Sequence, residues 1–333
     1  MLVAIFTVAV LAGPSCSIEA VPPESTLTTK GSVVIGAFTS MSSGNLSTLY
    51  QYDSEAKRKA VYAHWFQSWE PQQYGKFLSS LAQRLHSDGR TPLLTWEPQD
   101  GTVGTAYQPD YSLDTIISGK HDNYIRTYAQ DIRGSGVPIY LRLMHEMNGD
   151  WYPWGDSING NTPEMYKQAW IHIHNIFEAE GATNVKWVWC PNEVSTWTPS
   201  HPMADFYPGD SYVDWIALDG YNWAGADGSP WYSFEEVFGK SYDEILGVAP
   251  TKPLMISEFA SDERGGSKAQ WIRDIRTVVP TRFPKIKALI WFNKDQDGAF
   301  WKIDSSASAL QAYQELVADP SFQGTEKVLA DFS

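Results

Sequence analysis

Residues 137–155 read VPIYLRLMHEMNGDWYPWG and contain the clearest strand signal in the chain, followed at once by a polar and aromatic segment. The run from Ile139 to Met144 is apolar enough to be covered on both faces, which is typical of a parallel strand. Strand alternation predicts that Tyr140, Arg142, Met144 and Glu146 share one face, while Leu141, Leu143 and His145 share the other. The sequence thus predicts a carboxylate at the carboxyl end of a buried strand, next to the flat side chains of Trp151, Tyr152 and Trp154.

Short apolar runs recur along the whole chain and alternate with helical patterns. Strands are predicted at residues 31–38, 60–66, 91–97, 138–144, 185–190, 212–219, 253–259 and 286–292. Helices are predicted at 74–87, 122–133, from Pro163 onward with Thr162 as the N-cap, and at 233–246, 267–279 and 308–317. Eight alternating strands and helices predict an α/β fold, a single-domain (β/α)8 TIM barrel. An open doubly wound sheet is the alternative, but the chain lacks a Gly-rich phosphate turn after the first strand.

The first thirty residues differ from the rest in composition. Residues 1–20 contain an apolar run that is too short to cross a bilayer and is typical of a signal peptide, and residues 21–30 form a polar, Pro-rich tether. We therefore expect a secreted, extracellular protein whose catalytic barrel spans residues 31–333. Cleavage of the leader would remove Cys16 and leave Cys190 as a small buried side chain, so no disulfide is predicted.

The charge and the aromatic content narrow the classes of function. The formal net charge is −14 and no basic cluster occurs, which argues against a nucleic-acid partner. Nothing predicts a membrane partner, and a monomer is expected. The chain has 15 Trp and 17 Tyr, a surplus that suits stacking against sugar rings, although core packing is the other interpretation.

In a barrel of this kind, catalytic groups lie at the carboxyl ends of the strands. These ends are rich in carboxylates, aromatic rings and amides: Trp65, Trp69, Trp96, Glu97, His145, Glu146, Asn192, Glu193, Asp219, Tyr221, Glu258, Trp291 and Asn293. Two carboxylates that face each other are what cleavage of a glycosidic bond requires. A zinc-protease helix is excluded because position 149, where the second His would stand, is Gly. No metal and no cofactor is predicted.

The motifs resemble those of glycoside hydrolase family 26, whose best known members are endo-β-1,4-mannanases. The resemblance rests on His145 to Gly149 with Trp151 and Trp154, and on the segments around Trp189, 207–210, 218–221, 257–259 and Trp291. It implies a (β/α)8 barrel and a mechanism that retains anomeric configuration. It also implies roles for single residues: Glu146 as acid/base, Glu258 as nucleophile, His145 as an orienting group, Tyr221 as a hydrogen-bond donor to the nucleophile, and Trp291 as the platform beneath the sugar.

Further substrate contacts are expected at Asn148, Trp151, Trp96 and Trp65. One segment departs from the family pattern: this chain has Tyr152-Pro153-Trp154 where many members have two adjacent tryptophans. The family also includes mixed-linkage β-1,3-1,4-glucanases and β-1,3-xylanases. The resemblance predicts a secreted endo-β-1,4-mannanase acting on mannan, glucomannan and galactomannan. The alternatives are a mixed-linkage β-glucanase and, from another class, a non-catalytic polysaccharide-binding protein.

The residues themselves also predict how the two carboxyl groups differ. Glu258 shares strand parity with Leu254 and Ile256, so we expect it to point inward with the filling of the barrel. Arg142 lies one layer below Glu146, and a buried cation favours the ionised form of the nearer carboxyl group, which we expect to be that of Glu258. Glu146 would then be protonated beside Trp151, as acid/nucleophile chemistry needs. Glu97 and Glu193 also end strands, and we expect them to contact substrate hydroxyls or to cap loops.

Overall fold

The computed structural model describes residues 33–42, 44–70, 75–226 and 228–325. Eight parallel strands follow one another in chain order and close into a barrel, with the first strand paired to the last. The strands are β1 Val34–Phe38, β2 Tyr62–Glu70, β3 Thr91–Asp100, β4 Ile139–Leu143, β5 Val185–Trp189, β6 Trp215–Asn222, β7 Leu254–Ser261 and β8 Ile286–Phe292. The predicted (β/α)8 fold is confirmed.

Helices cover most of the connections between the strands. They are α1 Ser47–Ala56, α2 Ser79–Ser87, α3 Leu113–Ile117, α4 Asp122–Ser135, α5 Pro163–Ala179, α6 Phe234–Val248, α7 Lys268–Arg282 and α8 Ala307–Ala318. Helix α5 begins as predicted, because the Thr162 hydroxyl accepts a hydrogen bond from the Met165 amide and Pro163 occupies the first turn. The connection between β5 and β6 carries only the 3₁₀ turns Met203–Phe206 and Asp210–Tyr212, as its irregular sequence predicts.

Two apolar layers hold the barrel. A small cluster fills its lower interior, with Tyr62, Tyr140 and Trp215 as its largest members. A much larger cluster lies between the strands and the surrounding helices. Above the inner cluster the barrel interior becomes polar, with Thr95, Arg142, Asp219 and Ser257 all buried. The candidate site therefore stands on a packed base at the carboxyl ends of the strands.

The predicted leader and the tether of residues 21–30 lie outside the described residues. Within the part of the chain that the structure describes, no helix combines the length and the hydropathy that a membrane crossing requires. Cys190 is buried and not in a disulfide, as expected of a small core side chain.

Candidate active site

The backbone at the end of β4 sets the direction of two side chains. The strand stops at Leu143, and the next residues include two non-glycine residues with positive φ, Met144 at 45° and Glu146 at 53°. Such conformations are sparsely populated and concentrate at functional sites. They interrupt the alternation that we expected to continue through Glu146. As a result, the prediction that His145 faces away from Glu146 is wrong: a His145 ring nitrogen lies within 4.8 Å of carboxylate oxygens of Asp219 and Glu258.

Glu258 points into the barrel, but for a different reason from the one that its parity suggests. Leu254 and Ile256 pack in the outer layer, whereas Met255 belongs to the inner cluster. The pairing of β7 with β6 shifts between Ile256, which pairs with Leu218, and Glu258, which pairs with Asp219. This irregularity adds one residue to β7, and a bulge of that kind re-aims the side chains that follow it. The inference from parity is corrected, although the inward direction of Glu258 holds.

Arg142 is the fully buried cation of the site. Its guanidinium forms ion pairs with Asp219 and with Glu258, and its Nε donates to the Thr95 hydroxyl at 2.7 Å. Ser257 donates to the other Asp219 oxygen at 2.7 Å. The expectation that Arg142 stands next to Glu258 is confirmed. A buried charge needs such partners to offset its desolvation.

His145, Asp219 and Glu258 form the one group of three or more potential metal ligands found among the described residues. Arg142 already supplies a positive charge to both carboxylates of this group. Burial, together with the charge of Arg142, lowers the pKa of His145 well below its usual value, so the imidazole is neutral. Its Nε2 lies 3.0 Å from the Tyr152 hydroxyl. The two carboxylates are thus paired with Arg142, and the imidazole with the Tyr152 hydroxyl.

Glu146 lies in a different environment from Glu258. Burial raises its pKa well above the usual range, and the negative charges of Asp219 and Glu258 raise it further. Trp151 Nε1 donates to Glu146 Oε2 at 2.7 Å. The ring of Trp151 lies directly over Gly149, where a Cβ atom would overlap it. Gly149 therefore lets the Trp151 indole reach the Glu146 carboxyl group.

Tyr221 contacts a predicted catalytic residue, whereas Asn148 binds the backbone at the end of β5. The Tyr221 hydroxyl donates to Glu258 Oε2 at 2.5 Å, so each oxygen of Glu258 has a donor. Asn148 faces the end of β5 instead: its side chain donates to the Asn192 carbonyl at 2.9 Å and accepts from the Asn192 amide at 2.8 Å. Asn148 thus ties two loops together and holds Asn192 at the rim of the cavity.

One cavity of about 570 Å³ contains both glutamates. Of the predicted site residues, Glu146, Trp151, Tyr221 and Glu258 line it. It is also lined by Tyr152, Asn192, Glu193, Thr196, Trp197, Trp223, Ser229, Gln296, Asp297 and Trp301. Trp197 and Trp301, which the sequence analysis did not select, lie in loops after β5 and β8. A tryptophan in the loop after a barrel strand is the signal that would have found them.

Three tryptophans predicted to contact substrate do not line this cavity. Trp65, Trp96 and Trp291 are at most 3% exposed and pack in the layer between strands and helices. Each directly follows an interior side chain of its strand, His64, Thr95 and Ile290 respectively, so alternation turns it outward. The predicted platform role of Trp291 is corrected. Its indole supports the cavity from behind, because Nε1 donates to the Trp301 carbonyl at 2.8 Å.

We expect Trp96→Ala to reduce stability and not to weaken the binding of long substrates selectively. Trp96 is fully buried and its ring stacks on Tyr128 at a centroid distance of 4.2 Å. Truncation of a buried aromatic residue costs about 3–5 kcal/mol of unfolding free energy. Denaturant unfolding of both proteins would measure the loss, with Tyr107→Ala, at a side chain that is 68% exposed, as the control. If stability were unchanged and only the binding of long substrates were weakened, Trp96 would be a substrate contact after all.

The two other glutamates at strand ends have local partners. Glu193 lines the cavity and caps its own loop, accepting from the amides of Ser195 at 2.5 Å and Thr196 at 3.0 Å. This agrees with the expected capping role. Glu97 accepts from the Ser68 hydroxyl at 3.1 Å, and burial raises its pKa to about 7. Glu97 does not line the cavity that contains the other two carboxyl groups.

Comparison with known families matches the part of the chain that carries Glu146 and Tyr221. The sequence model described as "Glycosyl hydrolase family 26" matches residues 104–249, a segment that includes the end of β4 and all of β6. Residues 104–249 belong to glycosyl hydrolase family 26. The resemblance predicted from the motifs is confirmed.

Two curated relatives are similar to longer parts of the chain than the family model matches. Endoglucanase H of Acetivibrio thermocellus is 37% identical over 285 residues, which is 84% of this chain and 30% of that protein. A mannan endo-1,4-beta-mannosidase of Bacillus subtilis is 29% identical over 187 residues, 54% of this chain and 45% of that protein. The chain therefore spans less than half the length of these two relatives.

Solved structures share the barrel. The YdhT protein of Bacillus subtilis superposes with a TM-score of 0.67 at 20% identity, covering 89% of this chain and 88% of that one. The Bacillus subtilis mannanase BCman superposes with a TM-score of 0.61 at 21% identity, covering 88% and 87%. These likenesses show that the chain has the same barrel fold.

Proposed function

We propose that the protein is a retaining, endo-acting glycoside hydrolase of β-linked polysaccharides. The observation that carries the proposal is the placement of Glu146 and Glu258 in one cavity with opposite surroundings. Glu258 contacts a guanidinium, whereas burial and neighbouring negative charge raise the Glu146 pKa. A carboxylate paired with a cation, facing a carboxyl group whose pKa is raised, is what acid/nucleophile catalysis needs.

In this proposal the reaction proceeds through two displacements. Glu258 attacks the anomeric carbon while protonated Glu146 gives its proton to the departing oxygen. The ionised Glu146 then takes a proton from water, which attacks the same carbon and releases Glu258. Arg142 and Tyr221 hold the two oxygens of Glu258, and Trp151 holds one oxygen of Glu146. The aromatic rings of the cavity supply flat surfaces for sugar rings.

The proposed substrate is a mannan-type polysaccharide, as the family motifs suggest. A second candidate, a β-glucan, is favoured by a specific observation: the relative that matches 84% of this chain is named an endoglucanase, whereas the mannosidase matches 54% at lower identity. The departure at Tyr152-Pro153-Trp154 lies beside the acid Glu146 and Trp151 and is compatible with either substrate.

A panel of polysaccharides tests the reaction and then the substrate. Under either candidate we expect glucomannan, which contains both sugars, to lose viscosity quickly and to yield short oligosaccharides. Under the mannan proposal, kcat/KM on galactomannan exceeds that on mixed-linkage β-glucan. The opposite ratio would select the second candidate. Glu258→Ala is the matched control and is expected to cut none of these glycans. If the parent protein also cuts none of them, the proposed reaction is refuted.

A further inference from the structure

Lys268 is a lysine in an unfavourable place. It is the first residue of α7, and only 1% of its surface is exposed. Burial of an ammonium group is costly, and the positive end of the helix dipole opposes a cation at this position. Departures from local preferences of this kind are expected at functional or strained sites.

All three N–H donors of Lys268 contact one loop. Nζ donates to the carbonyl of Phe300 at 2.7 Å, to the carbonyl of Lys302 at 2.7 Å and to the Ser305 hydroxyl at 2.9 Å. An ammonium group has three donors and no acceptor, so its hydrogen-bonding capacity is fully used. Burial lowers the Lys268 pKa to about 8, so the group is still charged at neutral pH. The two carbonyls flank Trp301 on either side.

Trp301 is the cavity residue that this loop presents. Its ring centroid lies 5.1 Å from that of Tyr221 and 4.9 Å from that of Trp223, and all three residues line the cavity. Tyr221 in turn donates to Glu258. A shift of the loop would therefore move an aromatic wall that contacts the partner of the predicted nucleophile.

A second side chain secures the same loop from β7. Asp262, which follows β7, accepts from the Phe300 amide at 2.7 Å. Lys268 and Asp262 thus bind the carbonyl and the amide of Phe300 from the two ends of the segment between β7 and α7. Of these two side chains, Lys268 also reaches beyond Trp301, to Lys302 and Ser305. In that part of the loop, Asp295 and Asn293 accept from the amides of Lys302 and Ile303.

We propose that Lys268 is a positioning residue that holds Trp301 against Tyr221 in the wall of the substrate cavity. Lys268 itself does not line that cavity and acts through the loop. The activity part of this proposal rests on the proposed function. The structural part, that Lys268 orders the loop, is independent of it.

The test combines kinetics with a double variant. Lys268→Met keeps the length of the side chain and removes the three donors, and we expect kcat/KM to fall about tenfold or more, because a displacement of about 1 Å can cost 10²-fold. If the loss is transmitted by Trp301, adding Lys268→Met to Trp301→Ala causes no further loss. If the two fold-losses in kcat/KM multiply in the double variant, the proposal is overturned. That result is expected when Lys268→Met acts independently of Trp301.

Lys252→Met is the matched control. Lys252 also donates to a backbone carbonyl, that of Asp210 at 2.7 Å, but it does not line the cavity. We expect its kcat/KM to equal that of the parent protein. A loss equal to that of Lys268→Met would mean that any lysine–carbonyl contact has this effect, and the proposal would fail.

Hydrogen exchange separates this proposal from the proposed function. We expect amides of residues 299–304 to exchange faster in Lys268→Met than in the parent or in Lys252→Met, whether or not any glycan is hydrolysed. Unchanged exchange would overturn the proposal. If Lys268→Met does not fold, Ser305→Ala removes a single acceptor, and faster exchange in the same segment supports the proposal while unchanged exchange refutes it.

Discussion

Glu258→Ala is expected to abolish turnover on every polysaccharide that the protein cleaves, with a loss on the order of 10⁵-fold or more. The reason is that, among the described residues, Glu258 is the one carboxyl group of the cavity that contacts both Arg142 and Tyr221. Without the carboxylate, the glycosyl-enzyme cannot form, and neither Arg142 nor Tyr221 can replace it as a nucleophile.

Mass spectrometry after reaction with a 2-fluoro-sugar inactivator checks the assignment directly. We expect the label on the peptide that contains Glu258. Glu97→Gln serves as a matched control, because Glu97 is a buried carboxyl group outside the cavity, and it should retain activity within about tenfold. A label on Glu97 or Glu193, or a first product with inverted configuration, would overturn the mechanism. A Glu258→Ala protein that keeps full activity would do the same.

Glu146→Ala is expected to lower turnover about 10²–10⁴-fold on polysaccharides, because protonation of a poor leaving group is lost. Aryl glycosides with good leaving groups need little protonation, so their first step should be spared and the glycosyl-enzyme should accumulate. Azide should rescue the second step and give a glycosyl azide of retained configuration. In Glu258→Ala, an azide product would have the inverted configuration, which distinguishes the two roles.

The pH dependence of activity gives a second test of the acid role of Glu146. A general acid must be protonated, so activity is present below its pKa and falls as the pH rises through that value. Burial and the charges of Asp219 and Glu258 raise this pKa, which extends activity to higher pH than an exposed glutamate would allow. Glu146→Ala should remove this alkaline limb on aryl glycosides. An unchanged limb would assign it to another group.

The fold was predictable because eight apolar runs of strand length alternate with helices, and parallel strands buried on both faces leave a strong local signal. The two glutamates were among the candidates because each stands near the carboxyl end of a strand, and the resemblance to family 26 singled them out. The relative placement of Arg142 and Glu258 was also found, because Arg142 lies within the regular part of β4.

The direction of single side chains was harder to predict. His145 was assigned to the wrong face because the backbone leaves the strand at Met144, and nothing in the apolar pattern marks that change. Trp96 was selected for its residue type and Trp291 by the family resemblance, whereas strand parity sends both rings into the core. Trp301 was missed because its loop has no periodicity, and its position depends on contacts with distant residues such as Lys268.

The shared influence of Asp219 and Glu258 on the Glu146 pKa has a consequence for the second half of the proposed reaction. When Glu258 forms an ester with the sugar, its negative charge disappears, and one of the two charges that raise the Glu146 pKa is gone. The pKa of Glu146 must then fall. Glu146, which gives its proton to the departing oxygen as the glycosyl-enzyme forms, would then stay ionised and be ready to accept a proton from water. The proton affinity of Glu146 would therefore be high in one half of the catalytic cycle and lower in the other, without any movement of the backbone.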